Sequence, residues 1–411
     1  MAVGAGNILL LVCSLASGVL SSRWLGPDAR GVYVAATTWA AFIGVLASFG
    51  VPQSVVLDHG NAARLTRPVI AHVLAGTCLA LLGSSILVLT TDSSLGTSGV
   101  IGFTLLAGAS ISSGIAAGLA QRSRKMRSDF QVARLAAPMT SIVAMAALIG
   151  IGDRSPDTWL LVTGGSAFVA SGLAMAKGLE WRDFQRFSLL YDASFLRSTL
   201  GACGVALTTQ ALYRQDNLVS ATFMHHDRIA EYAVGSAAMT ACIAAAQAAG
   251  MVLFSQLRST SPHLVRQATW RGIRSSAVMA GAVGVPLALL ARPLVRIVYG
   301  EAFLPAVPCI QVLAIAAIPL AMDYTLSNVL LSLGRAKELI ACRVATVILG
   351  TSLLAWLAPR TGLAAFSTAT LGVYCGSVLA LATIFAIHAP PRQTQPVNPH
   401  AAPPRIKETQ E

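Results

Sequence analysis

Charged and amide side chains inside long apolar stretches are the residues of this sequence best suited to chemistry. An ionisable side chain at membrane depth is costly, so it generally faces a partner or a water-filled cavity. The stretches that carry such groups contain Arg214 with Asp216, Arg292, and Asp323. Asp323 is the candidate site for a coupled proton or cation, and a hydrogen-bonded structural carboxylate is the alternative.

Arg214 and Asp216, in the run QALYRQDN, are open to two interpretations. In the first, Asp216 compensates the charge of Arg214 inside a polar cavity. In the second, Arg214 lies within two turns of a helix end and extends to the membrane interface. The second interpretation applies more strongly to Arg292. Gln247 is a further polar residue, at a depth comparable to that of Asp323.

The sequence carries no motif for covalent catalysis. It has no GxxxxGK[ST] loop for ATP, and neither HExxH nor GxSxG occurs. His225, His226, Asp227 and Glu231 have metal-like spacing, but an exposed turn explains them without a metal. All seven cysteines lie in apolar segments without a CxxC pair, so we expect no disulfide framework or zinc site. We therefore predict no enzyme activity, no cofactor and no bound metal.

Composition indicates the class of protein. Of 411 residues, 55% are hydrophobic and 11% are Asp, Glu, Lys or Arg, against about 25% charged residues in soluble domains. The formal charge of +12 is spread over short breaks between apolar runs. That distribution is typical of membrane topology and argues against nucleic-acid binding. The sequence therefore predicts a polytopic membrane protein.

Twelve apolar segments are long enough to cross a hydrocarbon core about 30 Å thick, which requires roughly 20 residues per helix. The first six lie at approximately 2–22, 32–52, 68–90, 99–120, 135–152 and 158–177. The second six lie at approximately 198–222, 230–256, 273–298, 305–331, 339–357 and 363–388. They predict an all-α integral membrane fold with twelve transmembrane helices.

The connection after the first segment and the connection after the seventh have similar sequence patterns. Gly26 and Pro27 end one helix, since proline donates no backbone hydrogen bond and glycine accepts unusual dihedrals. Tyr33 then begins a helix rich in small residues, and Tyr232 holds the corresponding place in the second connection. This similarity predicts two six-helix lobes. An even number of helices per lobe makes the lobes parallel repeats, related by an axis along the membrane normal.

These halves give the predicted domain boundaries. Residues 1–178 form the N-terminal lobe and residues 198–388 the C-terminal lobe. Residues 179–197 carry aromatic residues at spacings of three and four, which favours a cytoplasmic amphipathic linker helix, with an ordinary linker as the alternative. Residues 389–411 are proline-rich and polar, which predicts a disordered cytoplasmic tail.

Lysine and arginine are distributed unequally between the two sets of connections. When each residue is assigned to the nearest connection or to the C-terminal tail, the even-numbered connections and the tail have 21 of them, and the odd-numbered connections have 8. By the positive-inside rule, both termini are predicted to be cytoplasmic. The odd-numbered connections, which include both tyrosine-bearing turns, are then predicted to lie outside.

Longer stretches of the chain carry a resemblance to a known family. They are LGPDARGVYVAA with SFGVPQ, LYRQDNLVSATF, EYAVGSAAM, QAAGMVLFSQL and the run from Ile297 to Glu338, in which YGEAFLPA and LGR are the more specific parts. Together they resemble the Wzx-type polysaccharide flippases of the multidrug/oligosaccharidyl-lipid/polysaccharide (MOP) exporter superfamily. The similarity extends over nearly the whole chain. It departs at Glu231, where the second connection usually has glycine.

The resemblance implies two lobes around a central cavity that work by alternating access. The cargo would be an undecaprenyl-pyrophosphate-linked oligosaccharide, moved across the bacterial cytoplasmic membrane for surface polysaccharide biosynthesis. The partners implied are this substrate, membrane lipids and, as candidates, a polysaccharide polymerase and glycosyltransferases. A multidrug or lipid II exporter of the same superfamily is the alternative. A membrane-embedded glycosyltransferase or polymerase is the alternative from another class.

A pyrophosphate cargo would require fixed cations in the cavity, because moving its charges through a dry bilayer is prohibitive. Arginine suits this role, since its planar fork can hold two phosphate oxygens at once. The predicted cavity residues are Arg214, assisted by Arg292 and Arg23, with Asp216 orienting Arg214 and Gln247 as a further polar group. Because no nucleotide motif occurs, we expect transport to depend on an ion gradient or the membrane potential.

Overall fold

The computed structural model describes residues 2–48, 76, 78–79, 81–83, 95–120, 126–178, 193–257 and 262–388. Helices make up most of these residues, and no strand occurs among them. Eight helices in the described part of the chain are long and apolar enough to cross a membrane. The linker residues 179–192, the tail 389–411 and most of the predicted segment 68–90 lie outside the described residues.

The described helices fall into two sets along the chain. The first half contains α1 (Ala2–Ala47), α2 (Thr97–Ala120), α3 (Met126–Ile151) and α4 (Pro156–Gly178). The second half contains α5 (Ala193–Phe223), α6 (His226–Leu257), α7 (Pro262–Leu289), α8 (Ala291–Val298), a 3-10 helix (Glu301–Ala306), α9 (Val307–Ser332), α10 (Ala336–Leu357) and α11 (Leu363–His388). The names first half and second half refer to these sets, and the exact domain boundaries stay predictions.

Helix α1 contains the first predicted segment and most of the second, joined by a kink. Gly26 has φ 76° and ψ 174°, a left-handed conformation that glycine adopts at little cost. Pro27 follows it and cannot donate an N–H to the preceding turn. The predicted break at Gly26 and Pro27 is therefore confirmed.

The predicted single helix at 273–298 is wrong, because the structure divides it in two. Leu290, with φ −93° and ψ 7°, separates α7 from α8. Pro293 has no N–H for the carbonyl of Leu289, four residues earlier, so a continuous helix would lose a hydrogen bond there. The hydropathy of the stretch hides this break, since both helices are rich in apolar residues.

A tyrosine fixes α1 against the last helix of the first half. The Tyr33 ring meets the Trp159 ring edge-on, with 6.3 Å between centroids. The Tyr33 hydroxyl donates to Thr163 Oγ1 at 3.4 Å. Trp159 and Thr163 lie four residues apart on α4, so they share one face of that helix.

The second half repeats this arrangement. The Tyr232 ring meets the Phe366 ring edge-on, with 5.1 Å between centroids. The Tyr232 hydroxyl lies 3.3 Å from Thr370 Oγ1, and Phe366 and Thr370 are again four residues apart on the last helix. The match between Tyr33 and Tyr232 is therefore confirmed by equivalent contacts in the two halves.

The described residues of the six odd-numbered connections lie at one end of the helix bundle, where hydrogen bonds join them to one another. The bonds are Trp24 Nε1 to the Asp153 carbonyl oxygen (2.5 Å), Gly96 N to Asp157 Oδ2 (2.9 Å), Arg30 Nη1 to the Ala230 carbonyl oxygen (3.0 Å), Arg23 Nε to the Val298 carbonyl oxygen (2.8 Å) and Arg228 Nη1 to the Thr361 carbonyl oxygen (3.3 Å). We call this end the outer end. The side of the membrane that it faces stays a prediction from the distribution of charges.

Candidate functional site

Asp323 lies at the centre of the second half, on α9, which packs against α6, α7 and α11. Its side chain is fully buried, and Arg343 Nη2 donates to its Oδ1 at 2.7 Å. The Tyr213 hydroxyl donates to Oδ1 at 3.2 Å, and Ser377 Oγ donates to Oδ2 at 2.6 Å. Side chains from α5, α10 and α11 therefore converge on one carboxylate of α9, which we call the Asp323 site.

Arg343 is the functional candidate that the sequence reasoning missed. It lies within the predicted segment 339–357, but the charge count assigns it to the neighbouring even-numbered connection. The structure buries it completely in α10. Its Nη2 also donates to Ser327 Oγ at 2.5 Å, and its guanidinium carbon lies 5.1 Å from the Tyr213 ring centroid. Among the described residues, Nε and Nη1 have no hydrogen-bond partner. The sequence feature that indicates its burial is its position within the apolar run ACRVATVILG.

Asp216 is the second fully buried carboxylate of the second half. The Tyr232 hydroxyl donates to its Oδ2 at 2.7 Å, and Asn217 Nδ2 donates to its Oδ1 at 3.1 Å. No basic side chain in the described part of the chain forms an ion pair with it. We call these residues, with Thr370, the Asp216 site. Its direct polar contacts among the described residues are these hydrogen bonds.

Helix α11 connects the two carboxylate sites. Thr370 belongs to the Asp216 site and Ser377 to the Asp323 site. The two residues are seven positions apart, which corresponds to roughly 10 Å along a helix. Tyr374 lies between them on α11, fully buried, and its hydroxyl has no partner among the described residues. Arg343 therefore forms an ion pair with Asp323, whereas Asp216 forms none among the described residues.

Arg214 does not form an ion pair with Asp216. Its Nε donates to Gln210 Oε1 at 3.3 Å, and its side chain is half-buried on α5. Gln210 is one helical turn away from Arg214, whereas residues two apart on a helix do not face each other. The proposed orientation of Arg214 by Asp216 therefore lacks a direct contact.

The other predicted cavity residues lie elsewhere. Arg23 is exposed at the outer end, where it donates to the carbonyl oxygen of Val298 at the end of α8. Arg292 is exposed near the start of α8, and Gln247 is half-buried in α6. Arg23 therefore contacts the helix that carries Arg292. Among the described contacts, neither Arg23 nor Arg292 touches Arg214.

The outer turn that contains His225, His226 and Asp227 contacts the first half. His226 Nδ1 lies 3.6 Å from Asp28 Oδ1, which joins the second half to the first. In the part of the chain that the structure describes, no group of three or more His, Cys, Asp or Glu side chains could hold a metal ion. The turn therefore contributes to contact between the halves.

Comparison with known proteins identifies the fold. Neither a family model nor a curated protein matches the sequence. Among solved structures, a multidrug resistance MATE family transporter of the MOP superfamily, in an inward-facing conformation, matches at 14% identity over 93% of this chain and 97% of its own, with a TM-score of 0.66.

Two further structures agree. Lipid II flippase MurJ, in an inward closed conformation, matches at 12% identity over 93% of this chain and 86% of its own, with a TM-score of 0.70. A MOP superfamily transporter from Pyrococcus furiosus matches at 13% identity over 94% of this chain and 93% of its own, with a TM-score of 0.55. The described residues therefore share the all-α fold of these three transporter structures, which confirms the predicted fold class.

Proposed function

We propose that this protein is a flippase that moves an undecaprenyl-pyrophosphate-linked oligosaccharide across the bacterial cytoplasmic membrane by alternating access. The observation that carries the proposal is the MOP-type architecture with its halves joined at the outer end. There, Arg30 of the first half donates to a carbonyl oxygen of the second half. Contacts of this kind can break and re-form as two halves move, which alternating access requires.

The oligosaccharide cargo is supported by the sequence resemblance to Wzx-type flippases. The shared fold does not discriminate among cargoes, since a MATE transporter and the lipid II flippase MurJ both have it. Multidrug or lipid II export is therefore the second candidate. A membrane-embedded glycosyltransferase or polymerase is disfavoured, because the described outer connections are short turns without room for a catalytic loop.

Complementation tests the proposal. We expect the gene to restore surface polysaccharide in a strain that lacks its oligosaccharide flippase and accumulates the lipid-linked intermediate. The same gene should not rescue a strain depleted of its lipid II flippase, and it should not raise resistance to cationic drugs. Rescue of the lipid II strain alone would replace the oligosaccharide with lipid II as the cargo.

We further propose that Arg214 contacts the pyrophosphate of the cargo. Arg214→Ala is expected to lower flux at least about tenfold, which corresponds to loss of one charge-assisted hydrogen bond. Arg214→Lys should also lose much of the flux, since lysine keeps the charge but lacks the bidentate fork. Flux is measured as the ratio of outer to total lipid-linked oligosaccharide in vesicles.

Arg271→Ala is the matched control for Arg214, because it removes an exposed arginine from α7. It should leave flux near the parent value. Arg23→Ala and Arg292→Ala test the remaining members of the predicted set in the same assay. Full rescue by Arg214→Ala at equal membrane expression would contradict a binding role for Arg214.

Ion coupling has two candidates. Coupling at Asp323 stays a prediction, and its charge is already balanced by Arg343 at 2.7 Å. Asp216 has hydrogen-bond donors but no ion-pair partner among the described residues. A buried carboxylate without a direct ion pair gains more from binding a proton or cation than a paired carboxylate does. We therefore add Asp216 as a candidate coupling residue.

A further inference from the structure

Arg30 is a buried arginine that reaches from the first half into the second. Its residue surface is only 2% exposed. Its Nη1 donates to the carbonyl oxygen of Ala230 on α6 at 3.0 Å. Its guanidinium carbon lies 5.1 Å from the Phe303 ring centroid and 5.8 Å from the Tyr299 ring centroid. One side chain of α1 thus contacts both α6 and the segment that follows α8.

Neighbouring residues bring the two halves close at the same place. A Cβ on Gly31 would overlap the main-chain carbonyl of His226, so only glycine permits this approach. Arg23 donates to the carbonyl oxygens of Ile297 and Val298. In these contacts Arg30 and Arg23 of the first half supply the donors, and main-chain carbonyl oxygens of the second half accept them.

The Arg30 contact is built to be reversible. Its Nε is buried and has no hydrogen-bond partner in the described part of the chain. A guanidinium that gives up water for one hydrogen bond and two aromatic rings regains its full hydration when the halves separate. Arg343 differs, because a carboxylate neutralises it inside one half. Arg30 therefore favours the closed outer end without making it permanent.

We propose that Arg30, with the Ala230 carbonyl, Tyr299 and Phe303, is an outer latch that holds the two halves together on the outer side. In the structure the latch is engaged. Breaking it increases the population in which the outer end is open. This role concerns the equilibrium between two conformations and holds whatever the cargo is.

Distance measurement between the halves tests the latch. Nitroxide labels are placed on Ser155→Cys of the first half and Arg360→Cys of the second half, both exposed on outer connections. The exposed Cys78 and Cys375 are replaced by serine. Double electron–electron resonance on the full chain in nanodiscs then reports the distance distribution. We expect Arg30→Ala to raise the ratio of long to short distances about tenfold, the effect of losing one charge-assisted hydrogen bond.

Three further variants make the test independent of one substitution. Arg30→Lys retains charge but loses the planar contact with both rings, and we expect an intermediate shift. Tyr299→Leu removes one ring, and we expect a smaller shift in the same direction. Gly31→Val inserts a side chain between the halves and shows that the labels detect an open outer end. If Arg30→Ala does not give monodisperse protein, Arg30→Lys and Tyr299→Leu carry the test.

Arg154→Ala is the matched control. Its guanidinium carbon lies 5.3 Å from the Trp24 ring centroid, and both residues belong to the first half. It removes an outer arginine and a cation–π contact without affecting the junction, so its distances should equal those of the parent. Parent-like distances in every Arg30 variant, alongside a shift in Gly31→Val, would overturn the latch.

Discussion

Arg343→Met is expected to lower the free energy of unfolding by about 3–5 kcal/mol, the usual effect of removing one partner of a buried ion pair. The loss is large because Asp323 would remain buried with its charge uncompensated. Ser377 and Tyr213 would still donate to that carboxylate, but hydroxyl groups do not neutralise it. The free energy is measured by reversible denaturant titration of the purified protein in mixed micelles.

A double-mutant cycle supplies the control for this prediction. Asp323→Asn alone should also destabilise, since Arg343 would then be the uncompensated charge. The double variant Asp323→Asn with Arg343→Met should recover much of the loss, because neither charge remains. Arg335→Met tests a half-exposed ion pair with Glu338 and should cost no more than about 1 kcal/mol. Additive effects in the cycle would show that the two side chains act independently.

Asp216→Asn is expected to abolish the dependence of flux on an imposed ion gradient. The substitution preserves the shape of the side chain and the hydrogen bond from Tyr232 but removes the group that can exchange a proton or cation. We expect energised flux to fall at least about tenfold, to the level without a gradient, because coupling requires a charge that binds and releases the ion. Flux is measured in proteoliposomes with and without imposed proton and sodium gradients.

The same assay compares the two candidate coupling residues. Asp323→Asn is measured beside Asp216→Asn, with stability checked for both. Asp227→Asn, an exposed carboxylate of the outer turn, is the control and should behave as the parent. Gradient-dependent flux that survives in Asp216→Asn and disappears in Asp323→Asn would assign coupling to Asp323.

Much of the fold could be predicted because apolar length identifies membrane helices. The segment 363–388 coincides with α11, and 158–177 differs from α4 by a residue or two at each end. Helix α3 begins at Met126, nine residues before the predicted start at 135. A hydropathy window detects the part of a helix that lies in hydrocarbon. It does not detect polar turns that continue the same helix into water.

The site was harder to predict from the sequence, because the side chains that form it come from different helices. Asp323 and Asp216 were recognised as costly charges, but their partners Arg343 and Tyr232 lie 20 and 16 residues away along the chain. Counting charges by connection assigned Arg343 to a basic loop. Only packing of α10 against the rest of the second half shows that it neutralises a buried acid.

The paired tyrosines have an electrical consequence. At the Tyr33 position the first half presents two neutral hydroxyl groups, whereas at the Tyr232 position the second half presents the carboxylate of Asp216. A unit charge that crosses a potential of 100 mV changes in energy by about 2.3 kcal/mol. Movement of the Tyr232 position through the membrane potential therefore does electrical work when Asp216 is ionised. Movement of the neutral Tyr33 position does none. Of these two equivalent positions, a transmembrane voltage therefore acts on the one in the second half.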